Sequence, residues 1–226
     1  MDWQSVLKLL HVVTFVYWVG ADLGVFYSAR LIINNPQYSV ATRQVLLHNL
    51  GIIDMIPRYM LLLTFPVGAQ LAAGLDASPL TGGWLWLIWI ASIAWIVFVT
   101  IIHQREGQPI AKTMARIDLM LRYAFLAFLV VTAIMTIAGG GFYKYEWIGW
   151  KVLGFAAAVS CGIGIRLSFT PFIVGFGRLV KEGSNPEVEG LLRKGLNGAV
   201  PWVLGIWVFA AIVAFIGLSH ERLFGT

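Results

Sequence analysis

The chain of 226 residues has a single cysteine, Cys161, and only 12% of its residues are Asp, Glu, Lys or Arg. One cysteine excludes an internal disulfide, a CxxCH haem-attachment site and a thiolate metal cluster, so a bound metal would have to use His, Met or carboxylate. Soluble domains carry roughly 25% charged residues, so this scarcity of charge is not that of a soluble core. Ten-residue alternations of the kind that build a membrane barrel are missing. Internal duplication is missing too, and the GxG pairs at Gly162 and Gly175 lack the strand and downstream acid of a dinucleotide site. The formal charge of +5 is not gathered into a nucleic-acid patch, because the Lys and Arg residues fall in short connections where orientation signals are expected.

What is present is apolar: 59% of the residues are hydrophobic. Six long runs can be drawn, Val6 to Ile33, Leu50 to Leu75, Gly83 to Ile102, Leu121 to Gly139, Trp147 to about Val174, and Val200 to Leu218. Each is long enough, at ~1.5 Å per residue, to cross a hydrocarbon layer of roughly 30 Å. The expectation is an all-α integral membrane bundle of about six transmembrane helices, one domain over residues 1–226. Asp2 and the absence of a positive leading segment argue against a cleavable signal peptide.

Orientation follows from the basic residues. Arg30 and Arg43 flank the first connection, Arg105, Lys112, Arg116 and Arg122 the third, and Arg178, Lys181, Arg193 and Lys194 the fifth. These connections are expected on the cytoplasmic side, which puts both termini outside, in a bacterial inner membrane. Pro57 and Pro66 are expected to bend the second helix and Pro171 to mark the inner end of the fifth, with residues 172–180 lying along the interface. Pro36, Pro79, Pro109 and Pro186 read as loop residues. Trp84, Trp86, Trp147, Trp150 and Trp202 read as an aromatic belt at the outer surface. The small-residue run from Ala156 to Gly164 suits close helix packing or, as the sharper alternative, a flat cofactor.

Ionisable residues inside such runs need partners. His11, Trp18 and Asp22 share one stripe of the first helix and should face the bundle. Asp54 and Arg58 are spaced i, i+4 and can neutralise each other. With Arg30 and Arg166 they fall in the cytoplasmic half, where they form either a structural salt-bridge cluster or a site for an acidic ligand. The four histidines divide by side, His11 and His220 outside, His48 and His103 inside. A pair of imidazoles at one depth is what a b-type haem needs, although a histidine at a helix end is more often a plain interfacial residue. The Gly139-Gly140-Gly141-Phe142-Tyr143 stretch reads as a flexible outer loop or, alternatively, as a rim over a site next to His11.

The run from Leu7 to Leu31, with His11, Trp18, Gly20, Phe26, Tyr27 and Arg30, carries an "LH…WxG…FY…R" pattern. It resembles the first helix of the HemJ-type protoporphyrinogen oxidases, the CopD-type copper-resistance domains and the membrane domain of the PuuD-type urate oxidases. Gly139 to Tyr143, followed by Trp147 and Trp150, also resembles the glycine-and-tryptophan stretch of the urate-oxidase domain, without the histidine that precedes it there. In the HemJ type the first-helix histidine is implicated in haem b binding, which by resemblance points to His11. Those proteins are shorter and apolar at the position of Asp22. What the resemblance implies is a haem-associated bundle, not a particular reaction.

The leading expectation is therefore a haem b protein of the membrane, acting in electron transfer or a redox reaction with a redox partner protein, and open to self-association. In it His11 is one axial ligand, His220 or His103 the other, and Arg58 and Arg166 meet carboxylates, with Trp18 and Asp22 lining the site. Two alternatives stay open: a small-molecule or metal-ion carrier built on Asp22, Asp54, Arg58 and Arg166, and a structural subunit of a larger membrane complex. The residues do not decide whether the chain is an enzyme.

Overall fold

The computed structural model describes residues 2–224. They form seven helices: α1 (Trp3–Asn34), α2 (Val40–Gly74), α3 (Gly83–Gln104), α4 (Pro109–Ile137), α5 (Glu146–Ser168), α6 (Thr170–Glu182) and α7 (Pro186–Phe224). All but α6 are long and apolar enough to cross a membrane, and no strand occurs among the described residues. The spanning helices neighbour one another in the closed order α1, α2, α3, α4, α5, α7 and back to α1. Both termini therefore lie at one end of the bundle, the terminal end, and the three basic connections lie at the other, the basic end.

The helices start where the local chemistry directs. Asp2 accepts from the Ser5 amide at 2.7 Å and Ser39 from the Thr42 amide at 3.1 Å, capping α1 and α2. Asn185 accepts from the Val188 amide at 3.0 Å, and Glu187 and Glu189 sit in the first turn of α7. Pro109 and Pro186 are the first helical residues of α4 and α7, where a missing N–H costs nothing, and not loop residues as the turn reading expected. Pro57 and Pro66 are buried within α2. The α4 terminus turns at Gly139 and Gly141, whose φ values of 80° and 69° suit glycine.

Helices α2 and α7 run well past the apolar segments toward the basic end. The reason is a second apolar cluster there: Ala29, Ile32 and Ile33 of α1, Leu50 of α2, Phe172, Phe176 and Leu179 of α6, and Val188, Leu192 and Leu196 of α7. The amphipathic α6 closes this cluster by packing on α7, where Phe172 fills the notch left by Gly195. Across it, Arg43 of α2, fully buried, makes a bidentate pair with Glu189 of α7 at 2.6 and 3.0 Å. The sequence reading left Arg43 as a loop charge; its burial reflects the helical extension that carries it inward.

The small-residue run of α5 faces α7. A Cβ on Gly205 would come within 2.8 Å of Cys161 Sγ, and Trp202 lies directly on Gly164. This is close helix packing, the plainer of the two expectations. Trp202 also donates to Ser168 at 3.1 Å, at the end of α5 that leads to the basic side, so it does not belong to a belt with Trp84 and Trp147. The connection after α4 is not loose: Tyr143 is buried, its amide donates to Thr136 Oγ1 at 3.0 Å, and the Lys144 amide donates to Ala77 O at 3.0 Å.

Candidate functional site

Polar groups inside the bundle fall into two layers. The first lies toward the basic end and is neutralised internally. Asp118 of α4 accepts from Trp95 Nε1 of α3 at 2.8 Å, from Arg122 Nε at 2.9 Å and from Arg166 Nη1 of α5 at 2.6 Å. Arg166 also donates to the Ala115 carbonyl at 2.6 Å. Asp54 and Arg58 form the ion pair that their spacing predicts. Asp22 is buried on the α1 stripe and accepts from Trp207 Nε1 of α7 at 2.8 Å, with Asp54 close enough to act on it.

This layer holds three aspartates and three arginines, and each arginine is already engaged by a carboxylate. Arg58 and Arg166, expected to meet a ligand's acid groups, are thus occupied by Asp54 and Asp118. Asp118 is the residue that sequence reasoning missed. Its i, i+4 spacing to Arg122 was the available signal, hidden because that stretch read as a connection. Arg30 stands apart, over the Phe26 ring at 5.3 Å.

The second layer lies at the terminal end. His11 is half-buried on α1 and packs against α2, where a Cβ on Gly68 would sit 3.4 Å from its Cε1. Its Nδ1 is sealed from solvent and has no hydrogen-bond partner. Trp18, two turns inward, is buried edge-on against Phe155 of α5, with centroids 5.9 Å apart, as part of the core. His220 of α7 lies on Trp147, with centroids 4.5 Å apart, and its Nδ1 is 3.1 Å from the Gly217 carbonyl. A cleft of about 180 Å³ opens beside it, lined by Leu75, Tyr145, Trp147, His220 and Glu221. Lys151 of α5 lies at the same end, its Nζ 5.7 Å from the Trp147 ring centroid.

His103 belongs elsewhere. Its Cε1 packs at Gly51 of α2, and its Nδ1 is 3.7 Å from Glu106 Oε2. Gly51 and Gly68 are separated by about 25 Å of helix, so His103 and His11 cannot share one iron. His48 is exposed at the same basic end. No group of three or more His, Cys, Asp or Glu among the described residues could hold a metal ion by itself. A haem asks less of the protein: two imidazoles from one end of the bundle, and room for a flat ring. An imidazole with a sealed, unpartnered nitrogen, seated on Gly68, meets the first of these demands, with His220 as the second histidine at that end.

A separate apolar cleft of about 290 Å³ lies between α2, α3 and α4, lined by Phe65, Trp84, Ser92 and Phe125 among others. It contains no chemistry beyond the Ser92 hydroxyl. No family model matches the chain, and neither a curated protein nor a solved structure matches it significantly.

Proposed function

We propose that the chain is a b-type haem-binding protein of a bacterial inner membrane, with both termini on the outer side, working in electron transfer or a membrane redox reaction with a redox partner protein. One observation carries this reading: His11 Nδ1 is buried without a partner beside the Gly68 notch, at the end of the bundle that also holds His220. Unpaired buried polar atoms are rare in folded proteins and call for an explanation, and a ligated imidazole supplies one. When bound, haem supplies one-electron chemistry. The protein's part is to fix the imidazoles: the His11 ring is seated on Gly68, and Gly217 O restrains His220 through Nδ1.

The carrier alternative draws support from Asp22 alone, since the arginines of its site are already neutralised. It predicts substrate uptake into proteoliposomes that Asp22→Asn abolishes, and no chromophore.

The test is an absorption spectrum of the detergent-purified protein, oxidised and reduced. A Soret band is expected in the wild type, lost in a folded His11→Ala variant and retained in His103→Ala. A wild-type protein without haem after expression under haem-replete conditions overturns the reading.

A further inference from the structure

Among the described residues, Lys151 is the one Lys or Arg of the spanning helices that is not exposed and that no carboxylate answers. Arg58, Arg122 and Arg166 each have an aspartate, and Arg43 has Glu189. Lys151 sits about one and a half turns inside α5, half-buried, with no carboxylate oxygen within 4.0 Å among the described residues. Of the acids at this end, Glu146 accepts from Trp150 Nε1 at 3.0 Å and Asp2 caps α1, while Asp76 and Glu221, the latter one turn past Gly217 on α7, lie beyond 4.0 Å of the ammonium. The ammonium is turned into the bundle toward α7, where a Cβ on Gly217 would lie only 2.6 Å from Nζ. His11 of α1, with its unpartnered Nδ1, lies at the same end of the bundle, near enough to feel the charge of Lys151.

We propose that Lys151 anchors an anionic oxyacid group, a carboxylate or a phosphate, at the terminal end of the bundle between α5 and α7. Three observations converge on this. A cation within a spanning helix is costly unless paired. Among the described residues, every other Lys or Arg that is not exposed, Arg43, Arg122, Arg166 and Arg178, has its acid. The neighbouring His11 has an unfilled hydrogen-bonding position, and an ammonium supplies three donors suited to a compact anionic oxygen. Two sources share this chemistry. On the haem reading, which this source rests on, the group is a propionate. The other source is the phosphate of an anionic lipid.

The experiment compares the full-length wild type with Lys151→Met, Lys151→Arg and Gly217→Leu, the last filling the seat of the ammonium while keeping the charge. Size-exclusion chromatography and circular dichroism establish that each is folded. In the haem arm, resonance Raman of the purified proteins reads the propionate bending mode and redox titration reads the midpoint potential. A propionate partner gives a displaced bending band and a lower potential in Lys151→Met and Gly217→Leu, both recovered in Lys151→Arg. In the lipid arm, native mass spectrometry after exchange into phosphatidylglycerol vesicles reads retained lipid. A phosphate partner gives one retained lipid in the wild type and at least tenfold less in Lys151→Met.

A haem-free wild type that retains lipid through Lys151 overturns the proposed function and keeps the anion site. A haem-loaded protein whose bending mode and lipid retention are both indifferent to Lys151 overturns the anion site and keeps the function. A haem-free protein with no Lys151-dependent lipid overturns both.

Discussion

Trp207 Nε1 donates to Asp22 Oδ2 at 2.8 Å, and this bond ties the middle of α1 to α7 while leaving the carboxyl without a cation. Asp54 and Asp118 each hold an arginine; Asp22 does not. An amide oxygen can accept from Trp207 as well as a carboxylate can, and it removes a negative charge from beside Asp54. Asp22→Asn is therefore expected to be as stable as the wild type or more so. Asp22→Ala leaves the indole N–H buried and unpartnered and costs about 1–3 kcal/mol. Thermal unfolding in detergent separates the two variants.

Asp118 joins three helices through Trp95, Arg122 and Arg166. Helix α3 buries only Ser92 and Val99, so side-chain bonds to Asp118, Gln70 and Tyr59 supply much of its attachment. Asp118→Ala is expected to leave two arginines unneutralised and to release α3. Hydrogen exchange should rise selectively over residues 83–104, with α1 and α2 unchanged.

The pair Arg43 and Glu189 should behave as a unit. Arg43→Met alone leaves Glu189 unpaired in a nearly closed site and costs about 3 kcal/mol. The double change Arg43→Met with Glu189→Leu should recover most of that loss, because both desolvation costs disappear together. Unfolding of the single and double variants, read as a cycle, checks the coupling.

Tyr143 lies outside the spans, and burial pushes its phenol up to about 12 from the ordinary value near 10. Its contribution to stability is complete below pH 10 and is lost as pH rises through about 12, because only the unfolded chain ionises it readily. Ultraviolet titration should show one tyrosine ionising above the others, absent in Tyr143→Phe.

Much of this could be read from one dimension. The six apolar runs and the asymmetry of Lys and Arg are local properties of the chain. So is the placing of His11, Trp18 and Asp22 on one stripe, which α1 realises by turning Trp18 and Asp22 inward. The Asp54–Arg58 pair followed from helical spacing alone. Boundaries were less legible: α2 and α7 continue past their apolar segments because α6 and its neighbours build a second apolar cluster there, and no single segment reveals that cluster.

Sequence by itself determined that this protein is a bundle of membrane-spanning helices with chemistry-bearing residues inside, since hydropathy and periodicity are written along the chain. Tertiary structure alone decided which partner each of those residues has. It gave Arg166 to Asp118, Arg43 to Glu189 and Asp22 to Trp207, put His220 and not His103 at the end with His11, and left Lys151 without an acid. Those assignments depend on which helices are neighbours and at what height they cross, and partners 48 to 185 positions apart leave no spacing along the chain to reveal them.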